Sequence, residues 1–149
     1  MSLARLLSEQ RGRLNRLKEL LEEELQLLTT SQVDSDSLAG IAKQKQLLLG
    51  ELERMETLRR QVQTKLGYAE GIEGARSAAE EAGCLAEWND CLDATERTAR
   101  LNNLVGELIE MRSIHNQQML EFIHQIAEKT LYDPSGRASR QSGRISTSA

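Results

Sequence analysis

From Leu3 to Leu28 the chain repeats a seam at alternating steps of four and three: positions 3, 7, 10, 14, 17, 21, 24 and 28. Six of these are leucine; Gln10 and Glu24 are the exceptions. This is the spacing of one helix face. Leu6, Leu20, Leu25 and Leu27 widen the stripe enough to meet more than one partner helix. Thr29 to Ser37 then breaks the pattern with turn formers, and Asp34 or Asp36 can cap the next helix. A second helix is predicted from about Ser37 to Leu66, along Leu38, Ile41, Lys45, Leu48, Leu52, Met55, Arg59, Val62 and Leu66. Lys45 and Arg59 interrupt that seam. Their stems are expected along the groove, with the charges in water. A short connection makes the two helices antiparallel neighbours, an αα-hairpin.

Gly67, Gly71 and Gly74 end the regular pattern. Ala75 to Ala82 reads as a short, weakly held helical stretch with little to bury, in the most mobile part of the body. A third helix is predicted from about Leu85 to Thr130, roughly 45 residues and ~65 Å if unbroken. Its apolar blocks are separated by Asn102, Asn103, Gly106, Ser113, His115, Asn116, Gln117 and Gln118. A glycine within a helix costs about 1 kcal/mol relative to alanine, so Gly106 is expected to have a packing reason. Pro134, the only proline, stops the helix at or before Asp133. Ser135 to Ala149 is rich in Ser, Gly and Arg and reads as a solvated end. The expected fold is all-α: an antiparallel three-helix bundle, or long coiled-coil-like hairpin plus a long third helix, with a polar C-terminal tail. Residues 1–131 form the helical domain and 132–149 a flexible tail.

Composition narrows the classes. Aromatic residues make up 3% of the chain and β-branched residues are few, which argues against strands. A net charge of −4, with no clustered basic face, argues against nucleic acid. No apolar run approaches the ~18–20 residues that span a bilayer. The N-terminal residues lack the apolar core of a secretory signal, so the expected location is cytoplasmic. Cys84 and Cys91 lie seven apart in one helix. That puts their Cα atoms ~10 Å apart, beyond the ~7 Å reach of a disulfide, and they read as small packing residues.

Catalytic patterns do not emerge. No phosphate-cradling glycine loop, nucleophile elbow or Cys-x-x-Cys pair occurs. Glu121-Phe122-Ile123-His124 is a single Glu-x-x-His, where di-iron bundles need two plus further carboxylates. No metal and no cofactor are expected. The chain reads as a binding protein, not an enzyme. Leucine seams alone would equally permit a structural coiled-coil or self-assembling helical module.

Three segments carry a family resemblance. They are Ile41-Ala42-Lys43-Gln44-Lys45-Gln46-Leu47-Leu48-Leu49 with Leu52 and Arg59-Arg60, then Leu101-Asn102-x-x-Val105-Gly106-x-Leu108-Ile109, and Thr130-Leu131-Tyr132-Asp133-Pro134-Ser135-Gly136. In this order they resemble the FlgN family, flagellar type III export chaperones of the hook-associated proteins. Val105 stands where that family usually has a second Asn. The resemblance covers roughly residues 5 to 140. It implies a non-enzymatic cytoplasmic chaperone that binds the C-terminal amphipathic segments of the hook–filament junction proteins FlgK and FlgL. It also implies delivery to the FlhA cytoplasmic domain of the export gate, with Tyr132 in the position of the gate-contacting tyrosine.

A client helix laid in a groove is held through anchors at i, i+3, i+4 and i+7. The expected groove lies on the third helix: Leu101, Val105, Leu108, Ile109, Met119, Phe122 and Ile123. Met119 offers a deformable contact that suits two clients. Any one of these side chains could instead pack on the first two helices; the expectation concerns the strip as a whole.

Overall fold

A computed structural model describes residues 2–30 and 32–131. It contains four helices: α1 (Leu3–Leu28), α2 (Ser35–Lys65), α3 (Ile72–Glu81) and α4 (Leu85–Leu131). No strand occurs among the described residues. The chain divides into two compact units, Met1–Gly106 and Glu107–Ala149. The first holds α1 to α3 and α4 as far as Gly106; the described part of the second is helical throughout, residues 107–131.

The starts and stops of the helices follow from local chemistry. The Ser2 hydroxyl accepts from the Arg5 amide at 3.2 Å and caps α1. Asp34 caps α2, accepting from the amides of Asp36 and Ser37 and from the Ser37 hydroxyl. These hydrogen bonds, led by that of the Ser37 hydroxyl, hold its carboxyl below the usual aspartate range. α2 ends with the Tyr68 amide donating to Gln63 O and the Gly67 amide to Thr64 O. α3 ends the same way, Cys84 to Ala79 O and Gly83 to Glu80 O. Both closures need a left-handed residue, supplied by Gly67 (φ 85°) and Gly83 (φ 73°).

α1 supplies the most deeply buried leucines of the first unit. Leu6, Leu7, Leu20 and Leu21 are almost wholly buried, each removed from water for about 1.5–3 kcal/mol. Partners descend along α2 as α1 advances: Gln10 with Glu56 at 3.1 Å, Arg13 with Glu51 at 2.6 Å, Arg16 with Gln44 at 3.0 Å. The hairpin is therefore antiparallel, as its short connection requires.

The stretch after α2 differs from expectation. It forms α3, whose Gly74, Ala75, Ala78 and Ala79 are buried. The three alanine side chains share one core with Leu3, Leu7, Cys84, Trp88 and Cys91. A face of glycine and alanine buries little area per residue but lets backbones approach closely. A Cβ on Gly74 would overlap the Ala69 carbonyl oxygen and come within 2.8 Å of Gln63 Nε2. The bundle thus has a fourth, short helix, buried along one face of small residues.

Gly106 also departs from expectation. It is helical, and a Cβ placed there would meet nothing within 4 Å. No close backbone approach explains it.

Candidate functional site

The polar residues that interrupt the leucine seams find one another inside the first unit. Glu24 of α1 and Lys45 of α2 form an ion pair at 2.7 Å, both largely shielded. The Gln10 amide of α1 donates to Glu56 Oε2 at 3.1 Å. Arg59 binds both Glu56 oxygens, at 2.9 and 2.6 Å, and donates to Gln63 Oε1 at 2.8 Å. Gln63 Nε2 then donates to the carbonyls of Ala69 and Gly71, reaching the turn before α3. The Arg59 guanidinium also lies 5.1 Å from the centre of the Trp88 ring on α4, within cation–π range.

Arg59 therefore does not reach water. It is 8% exposed and ties α2 to Trp88 of α4, while Glu56 and Gln63 carry the network on to Gln10 of α1 and to the turn before α3. Lys45 likewise is satisfied by Glu24 rather than by solvent. The physical reason is shared: a buried charge persists only where opposite charge and hydrogen bonds replace its hydration. Burial pushes the Glu56 carboxyl up, but the Arg59 hydrogen bond and charge, with Gln10 and Arg60, outweigh it and hold the group below the usual glutamate range. A cleft of about 470 Å³ borders this network, lined in part by Leu14, Arg59, Ile72 and Leu92. The polar groups at its wall are largely engaged with each other.

Both thiols are free and buried. Cys91 donates to the Leu7 carbonyl at 3.0 Å, and burial pushes its pKa up to about 11. Burial also raises Cys84. They serve as packing residues. Among the described residues no three His, Cys, Asp or Glu side chains gather as a metal site. No helix among them is long and apolar enough to cross a membrane.

The α4 strip divides by burial. Val105 is 1% exposed and belongs to the core of the first unit, so it offers a partner nothing in this state. Leu101 is half-buried there. In the second unit Leu108 is half-buried, while Ile109, Met119, Phe122 and Ile123 are 46%, 48%, 57% and 48% exposed. Met111, Ile114 and Leu120 are also exposed. Leu108, Met119 and Phe122 share a seam stepped by four and three with Arg112 and His115. Two polar residues therefore stand in the middle of an apolar helix face. Tyr132 and the tail lie outside the described residues.

So dense a row of large apolar side chains facing water is unusual for a folded chain and marks a place of contact. The class is thus an all-α bundle protein with an apolar helix face left open. The chain belongs to the FlgN protein family, whose family model matches residues 1–140. It is 29% identical over 137 residues to the flagella synthesis protein FlgN of Escherichia coli K12, covering 92% of this chain and 90% of that protein. It is 31% identical over 138 residues to the flagella synthesis protein FlgN of Salmonella typhimurium, with the same coverage. No solved structure matches the chain.

Proposed function

We propose that this protein serves flagella synthesis as a cytoplasmic export chaperone that binds and performs no chemical step. Its clients are the C-terminal amphipathic segments of the hook–filament junction proteins FlgK and FlgL. The observation that carries this reading is the open apolar face of residues 107–131, with Ile109, Met119, Phe122 and Ile123 half in water. Burying four such side chains under a client helix would release on the order of 3–6 kcal/mol, taking each as half-exposed beforehand. Part of that is lost to ordering the client, so these four anchors alone would hold it only at about millimolar concentration, and the rest of the affinity comes from the remainder of the client segment. The polar tail delivers the complex, with Tyr132 contacting the FlhA cytoplasmic domain.

The test is titration of the full chain with peptides from the C-termini of both junction proteins of the same organism. A one-to-one complex at micromolar concentration is expected, weakened at least tenfold by Phe122→Asp, with the apo helix content unchanged. Tyr132→Ala should weaken gate docking and leave the peptides bound. Absence of binding to either peptide, together with a defined oligomer that hides residues 107–131, would replace the chaperone with a self-assembling helical module.

A further inference from the structure

The apolar stripe of the second unit reads the same from both ends. Leu108, Met111, His115, Met119 and Phe122 follow one another at steps of three, four, four and three. At 3.6 residues per turn all five fall within a sector about 80° wide. His115 stands at the centre with a methionine on either side, then Leu108 at one end and Phe122 at the other. Met111, Met119 and Phe122 are exposed and Leu108 is half-buried. A stripe with this symmetry suits an isologous contact, in which one residue of the first copy meets a second residue of the other, and the reverse.

We infer that a second copy of this chain, laid antiparallel along residues 107–131, covers the stripe when no client does. Leu108 of each copy then meets Phe122 of the other, Met111 meets Met119, and His115 meets His115 on the two-fold axis. Ile109 and Ile123 pair along one edge. A neutral imidazole carries one donor and one acceptor, so two of them facing each other can satisfy one another, and a polar pair at that level fixes the register. The inference rests on the chaperone reading only in making copy and client rivals for one face.

Charge favours the antiparallel arrangement over the parallel one. Set parallel and in register, Arg112 would lie level with Arg112 and Lys129 with Lys129. Set antiparallel, Arg112, already engaged within its own chain, lies level with the Gln118 amide, whose oxygen accepts. The segment is net acidic, but Glu110, Glu121 and Glu128 are exposed and turned more than about 100° from the centre of the stripe, so they stay in water in both copies. The six apolar side chains that each copy brings, most of them about half exposed, offer on the order of 1,000 Å² over the pair, the lower limit for a specific interface. A contact of that size exchanges readily, as a face that must be yielded to a client requires.

Sedimentation velocity on the full chain over a wide concentration series tests this, with circular dichroism confirming that each variant keeps its helix content. A reversible monomer–dimer equilibrium is expected, weakened about tenfold or more by Phe122→Asp and by Met111→Glu. Adding Met119→Lys to Met111→Glu in the same chain should restore it, because each new Glu then faces the other copy's Lys. His115→Glu and His115→Lys should each be monomeric alone and associate when mixed. A monomer at every concentration would overturn the inference. So would a dimer indifferent to Phe122→Asp, a dimer that Met119→Lys fails to restore, or one that forms only in a chain ending at Leu131. Junction-protein peptides added to the same samples separate the two claims. They are expected to convert dimers into one-to-one complexes; peptides that bind without dissociating the dimer would overturn the rivalry. A monomer that binds them sinks the inference alone, and a charge-restored dimer that ignores them sinks the chaperone reading alone.

Discussion

Adding one methyl group at Gly74 and at Gly106 should move stability in opposite directions. Both glycines are helical, so alanine gains about 1 kcal/mol of helix propensity at either. At Gly106 nothing lies within 4 Å of the new Cβ, and the whole gain is kept. At Gly74 the methyl overlaps the Ala69 carbonyl oxygen and sits 2.7 Å from its carbon and 2.8 Å from Gln63 Nε2. Neither neighbour can retreat cheaply. Gln63 is held by Arg59 and by its two carbonyl acceptors. Overpacking costs about 1–3 kcal/mol and each broken hydrogen bond about 1 kcal/mol, so the net loss is about 1–3 kcal/mol. For a chain of this size Gly74→Ala should melt roughly 3–10 °C lower and Gly106→Ala about 2–4 °C higher. Urea titrations followed by far-ultraviolet circular dichroism and by Trp88 fluorescence measure both. A neutral or stabilising Gly74→Ala would refute the close approach of α3 to the turn before it.

Acid should weaken the fold partly through Glu56. Its folded pKa is depressed, so its contribution is full above the unfolded value of about 4.3 and disappears as pH falls through the folded value. Glu56→Gln should be less stable at neutral pH and show a flatter acid limb below about pH 5 in urea midpoints. Asp34 follows the same sign, and Asp34→Ala should lose part of the acid dependence too. Native Cys91, buried and with its pKa near 11, should resist iodoacetamide at pH 8 and label rapidly in urea; fast native labelling would contradict its burial. Leu20→Ala should cost about 2–5 kcal/mol, whereas Phe122→Ala should stay within about 0.5 kcal/mol in the free protein, because Leu20 is fully buried and Phe122 mostly exposed.

Leucine periodicity made α1, α2 and α4 legible to within two residues at either end, because each exposes a long seam that a pattern can register. α3 was not legible in the same way. Its buried face is Gly74, Ala75, Ala78 and Ala79, residues whose value lies in what they leave out. Arg59 was misread because its partners are scattered: Glu56 lies three residues earlier, and Trp88 comes from another helix. The α4 strip shows the limit of periodicity itself. Val105 and Phe122 fall on one seam, yet one is 1% exposed and the other 57%. Spacing identifies a face; which stretch of that face meets its own protein depends on where the other helices stop.

The pairs Glu24–Lys45 and Gln10–Glu56 act as a key cut into the hairpin. Slide α2 by one heptad either way and Glu24 comes opposite Leu38 or Leu52 rather than Lys45. A carboxylate closed against leucine is expelled, so only one alignment locks. The same teeth refuse an intruder: a plain leucine-faced helix trying to displace α2 from α1 would strand Glu24 and Gln10 in oil. The hairpin is thereby kept from exchanging one of its own helices for a stranger.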